Sequence, residues 1–156
     1  HEDWMRWTRQ GFDFFEDYFG TQYPFQKYDQ MIVPDFNAGA MENVGAVTFS
    51  EAYLSRGQMT AFSKEKLCNT LLHEMAHMWF GDLVTMKWWD DLWLNESFAT
   101  FTATLAQAEA TEFKDAWHTF FLLDKAWNLC HFFIPEITCI HDRLNALLGF
   151  IYGNAF

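Results

Sequence analysis

The chain has 156 residues and a formal net charge of −11, from 21 acidic side chains against 10 Lys and Arg, a balance that argues against nucleic acid or an anionic membrane as partner. Hydrophobic residues make up 51% and aromatic residues 20%, with 18 Phe and 8 Trp, more than a lone domain of this length readily buries, so apolar surface is expected to face further domains, a partner or a substrate cleft. No run of eighteen uncharged apolar residues and no basic-then-apolar leader is visible, so no membrane span or secretion signal is placed.

Trp4, Trp7, Gly11, Phe14, Phe15 and Tyr18 recur near helical spacing and predict an opening helix that Gly20 closes. Residues 31–33 and 45–49 read as strands flanking an extended stretch over 37–44. From Ser63 the pattern turns helical. Leu67, Leu71, Met75 and Met78 share a face, Ser63 is the expected N-cap and Gly81 the expected stop. An extended loop then leads to Trp88, a second helix runs through Glu96 to about Ala110, and further helix is expected from Glu112 with an interruption at Pro135. The fold class is α+β, a small sheet packed on a mainly helical bundle.

The chemistry is concentrated in His73-Glu74-Met75-Ala76-His77 and in Trp93-Leu94-Asn95-Glu96. Residues four apart share a helix face, so His73 and His77 can offer two imidazole nitrogens to one ion, with the motif expected in mid-helix. Glu74 lies about 100° round the helix, free to take a proton from a water held on the metal rather than to ligate. A hydrolytic zinc needs a third protein ligand and an open position. Glu96 supplies the ligand, and the interval from His77 leaves room for a helix end, a loop and a returning helix. A second carboxylate, Glu42, sits in Gly39-Ala40-Met41-Glu42-Asn43. A fixed carboxylate can hold an ammonium group by a charge-assisted hydrogen bond while adjacent extended backbone pairs with a ligand as an added strand.

Residues 73–85, HEMAHMWFGDLVT, and 88–100, WWDDLWLNESFAT, closely resemble the aminopeptidase N family of zinc exopeptidases. The upstream 37–49 stretch, NAGAMENVGAVTF, carries that family's Gly-x-Met-Glu-Asn signature and looks most like its bacterial-type members. The resemblance spans most of the chain and is strongest from residue 34 to 100. It implies a thermolysin-like zinc peptidase catalytic domain with one Zn²⁺ on His73, His77 and Glu96, Glu74 as general base, and a peptide with a free N-terminus as substrate. It assigns Glu42 to the substrate ammonium, with Gly39, Ala40 and Met41 beside it. It also implies a tyrosine hydroxyl for the developing oxyanion. Tyr152 is the candidate, in Tyr152-Gly153, although Asn154, Ala155 and Phe156 depart from the family's Lys-Gly-Ala.

Because the family builds enzymes several times longer, the expectation is one partial catalytic domain over 1–156: helix plus small sheet over 1–50, and the helical zinc-binding part over 51–156. Missing domains or other subunits are the expected partners. For the far ring nitrogens of the histidines, Thr100 is the expected acceptor; Asp82, Asp90 and Asp91 are further candidate acceptors, although an acidic surface loop is the commoner explanation for such residues and is the reading taken for Asp90. Cys68, Cys130 and Cys139 form no CxxC pair and read as reduced thiols, leaning toward the cytoplasm. His118, His131 and His141 share no ligand spacing with the motif. The zinc set alone leaves three alternatives: an epoxide hydrolase of the same family, a non-catalytic or incomplete member serving as a structural subunit, and an endopeptidase that would have no use for Glu42.

Overall fold

The computed structural model describes residues 2–125 apart from Arg56. Helix α1, Glu2–Phe19, buries Trp7, Thr8, Gly11 and Phe15, one stripe at helical spacing. Glu2 and Asp3 occupy its first turn, where the helix dipole favours negative charge, and Asp3 pairs with Lys64 at 2.6 Å. Three strands follow, β1 at Asp29–Val33, β2 at Ala40–Met41 and β3 at Ala46–Ser50. Their order is β1-β3-β2, with β1 parallel and β2 antiparallel to β3. The central strand buries alternate residues, Val47 and Phe49, so one face is core. Phe49 meets Trp4 edge-on at 5.1 Å, which seats the sheet on α1.

Helix α2, Ala61–Ala76, is capped by Thr60, whose hydroxyl accepts from the Ser63 amide. Ser63, the expected cap, therefore lies inside the first turn; the threonine wins because its backbone is extended while its oxygen faces the free amides. The helix also ends earlier than the pattern suggested. His77 is its C-cap rather than a mid-helix residue, and the chain tightens into i→i+3 bonds, Met78 N–H to Met75 O and Trp79 N–H to Ala76 O, both 3.1 Å. A 3₁₀ segment, Trp89–Leu94, and helix α3, Glu96–Ala110, complete the support. The residues before Glu96 were expected to be extended only as far as Trp88, and the 3₁₀ turn fills the interval.

Two devices hold the helices together. At Gly11 an added Cβ would lie 2.6 Å from Leu72 Cδ2, so α1 crosses α2 at a distance only glycine permits without repacking. On the other side Ala99, Ala103 and Ala106 are fully buried, and the Gln107 amide clamps α3 to α2 by accepting from Asn69 Nδ2 at 2.9 Å and donating to the Glu65 carbonyl at 2.7 Å. The chain divides into two units after residue 117. The described part of the second contains the end of α4, Ala116–Thr119, and a π-helical turn, Phe120–Lys125. Among the described residues no helix is long and apolar enough to cross a membrane.

Candidate metal centre

His73 projects from the last turn of α2, His77 is the C-cap of that helix, and Glu96 opens α3. An aromatic cluster sets the distance between these segments: Phe80 lies 4.2 Å from Phe98 and 5.0 Å from Phe19, centroid to centroid. His73 Nε2 and His77 Nε2 stand 3.1 Å apart, and Glu96 Oε2 lies 3.5 and 3.7 Å from them. Atoms about 2.0–2.1 Å from one tetrahedral ion are about 3.3 Å from one another. The triangle therefore fits a single zinc-sized cation, and these three are the metal-capable group among the described residues.

Protonation states agree with that use. Burial, then the neighbouring His73, holds the His77 pKa below its usual value, favouring the neutral imidazole that a metal requires. The hydrogen bond to His73, opposed by burial, lowers Glu96 and keeps it anionic. Glu74 is 6% exposed, and burial pushes its carboxyl up to about 7 against the attraction of His73, with Glu42 and Glu96 adding to the rise. Its Oε2 is buried without a hydrogen-bond partner among the described residues, as suits a group that exchanges protons with a substrate or water.

Each histidine is oriented from behind. His73 Nδ1 lies 3.3 Å from the Thr100 hydroxyl, which donates to the Glu96 carbonyl at 2.9 Å and so presents a lone pair to the ring. His77 Nδ1 faces two acceptors, Asn95 Oδ1 at 2.8 Å and the Phe80 carbonyl at 3.1 Å. Asn95 was not foreseen. Its only sequence signal is its place immediately before Glu96, where an asparagine reads as an ordinary helix cap.

Asp82, for which both an acceptor role and a surface position were open, is partly buried. Its Oδ2 is buried without a hydrogen-bond partner among the described residues, and burial followed by the charge of Glu42 raises its pKa to about 6. Asp90 is exposed, and Asp91 accepts from Trp93 Nε1 at 3.1 Å.

Glu42 directly follows β2, an edge strand that packs against α2. Its charge raises the pKa values of Glu74, His77 and Asp82, so it lies within electrostatic reach of the metal group. Ala40 and Met41 are the two residues of β2, and the Gly39 carbonyl accepts from Ser50 N–H at 2.8 Å. Tyr152 lies outside the described residues.

Residues 5–132 match the peptidase family M1 domain. The chain belongs to peptidase family M1. This M1 chain is 56% identical over 122 residues to an aminopeptidase N of Streptomyces lividans, a match covering 77% of the chain and 14% of that relative. It is 51% identical over 109 residues to a probable aminopeptidase 2 of Sulfurisphaera tokodaii, covering 69% and 14%. Against a glutamyl aminopeptidase of Bos taurus the identity is 47% over 105 residues, 66% of the chain and 11% of the relative. The M1 chain thus spans between a tenth and a sixth of the length of these relatives.

Cys68, on α2, is buried, and burial raises its thiol well above the ordinary range. The expected exposed apolar surface is present on the loop that leads to Glu96, where Trp88 and Trp89 are 67% and 68% exposed and Leu83, Val84 and Leu92 are also exposed.

Proposed function

We propose that this chain is the metal-binding segment of a zinc aminopeptidase with a thermolysin-like catalytic domain, removing the N-terminal residue from peptides. The observation that carries this reading is the convergence of His73, His77 and Glu96 beside the buried Glu74. His73 Nε2, His77 Nε2 and the Glu96 carboxylate are the atoms that would hold the ion. Zinc bound there supplies Lewis acidity toward a peptide carbonyl and toward water.

The remaining work falls to the chain's own groups. Glu74, with its carboxyl held near neutrality, takes a proton from the attacking water and passes it to the leaving amine nitrogen. Glu42 holds the substrate ammonium, and the edge position of β2 supports Gly39, Ala40 and Met41 as backbone to which the substrate adds as a strand. The oxyanion donor, Tyr152, rests on the family resemblance. In the same reading residues 1–156 are part of one catalytic domain, with helix and sheet over 1–50 and the metal-binding helices over 51–156.

Metal analysis of the purified chain together with an aminoacyl-anilide assay tests this. One zinc per chain and turnover that disappears when the substrate amine is acetylated is the expected result. Zinc without turnover would favour an incomplete or structural subunit. Cleavage of an N-acetylated peptide would favour an endopeptidase, and epoxide opening without anilide turnover would favour a hydrolase of the other type. A chain that takes up no zinc overturns the reading.

A further inference from the structure

We propose that Asn95 is a positioning residue of the metal centre and that Gly81 serves it by leaving room for Asn95 to reach His77. This rests on the metal reading above. The His77 ring is fully buried, and its Nδ1 faces Asn95 Oδ1 at 2.8 Å and the Phe80 carbonyl at 3.1 Å. Both partners are acceptors, so Nδ1 carries the hydrogen, and Nε2, which faces His73 and Glu96, keeps its lone pair for the ion. The far end of the amide settles its orientation: Nδ2 donates to Glu96 Oε1 at 3.4 Å, which leaves the oxygen for His77. One neutral side chain thus touches two of the three ligand residues.

Two further features point the same way. Asn95 stands at the N-cap of α3, where asparagine ordinarily turns its side chain onto the free helix amides, yet it makes no side-chain capping bond. Its oxygen is directed to His77 instead. Gly81 has φ +132, and a Cβ added to it would lie 2.4 Å from Asn95 Oδ1 and 3.3 Å from His77 Nδ1. Any side chain at 81 would therefore be strained and would also occupy the space of the His77–Asn95 contact. The turn that places Gly81 there is itself held by Gly81 N–H to the Val84 carbonyl at 2.8 Å and Asp82 N–H to the His77 carbonyl at 3.0 Å.

Zn²⁺ affinity, measured on the full chain by competition with a chromophoric chelator, tests the proposal in Asn95→Ala, Gly81→Ala and the double variant, with melting curves recorded beside each. Each single variant is expected to bind zinc about 10–100-fold more weakly. The double variant is expected to bind no more weakly than Asn95→Ala alone, because both changes remove one contact. A merely structural cost of strain at residue 81 would lower the melting temperature and add in the double variant. If Gly81→Ala does not fold, Asn95→Leu, which fills the amide's volume without its oxygen, is expected to show the same loss as Asn95→Ala. Zinc binding by Asn95→Ala or Asn95→Leu at wild-type strength, or additive losses in the double variant, overturns the proposal. A wild-type chain that binds no zinc overturns the underlying metal reading, a distinguishable outcome.

Discussion

Phe80 and Phe98 meet edge to face with centroids 4.2 Å apart, the first closely following His77 and the second closely following Glu96 in the chain. This contact joins the two segments that carry the metal-capable groups. Phe98→Ala is expected to cost about 3–5 kcal/mol of stability, the range for a buried phenylalanine, and to weaken metal binding at temperatures where the chain is still folded. Chelator competition well below the melting midpoint checks this; unchanged affinity in a destabilised variant would separate the core from the site.

Glu74→Gln keeps the shape of the side chain but removes its capacity to take a proton. Turnover is expected to fall about 10²–10⁴-fold, the usual contribution of a positioned acid–base group, with the zinc content unchanged. Steady-state rates and metal analysis on the same preparation provide the check, and near-normal kcat would remove Glu74 from the mechanism.

Glu42→Gln is expected to act on binding rather than on the chemical step. A charge-assisted hydrogen bond contributes about 1.5–3 kcal/mol, so KM for a peptide with a free N-terminus is expected to rise about 10–100-fold. The preference for free over acetylated termini narrows correspondingly. Equal losses for both substrates would mean that Glu42 acts through the fold.

Asp82 yields a pH dependence with a definite sign. Burial and Glu42 raise its pKa from 3.8 to about 6 in the folded chain, so in that interval the native state binds the proton more tightly than the unfolded state. Stability is consequently lost as pH rises from about 4 to about 6. Asp82→Asn carries no charge to desolvate and is expected to melt higher than wild type above pH 6. With water screening allowed for, the gain is about 2–4 °C, and the two curves converge below pH 4. A constant offset across the range would assign the effect to packing instead.

Much of the architecture was legible because it depends on local periodicity. The stripe of α1, the extent of α3 to Ala110 and the strands on either side of Glu42 follow from the spacing of apolar residues. The two imidazoles and Glu74 are fixed to one another by helix geometry, and Thr100 was readable because it lies one turn beyond Glu96. The cap at Thr60 and the early end of α2 at Ala76 were not readable, since competing polar residues and a tightening turn alter boundaries without disturbing the apolar pattern.

The amino-acid sequence by itself determined which groups are available for the proposed cation and proton chemistry, because ligand chemistry and helical spacing are properties of short segments. Tertiary structure alone decided that Asn95 closes on the back of His77, that one carboxylate oxygen of Asp82 is buried within reach of the Glu42 charge, and that Gly11 lets α1 cross α2 closely. Each of these joins residues from separate segments, and such contacts are set by how the helices pack, which no local pattern of residues encodes.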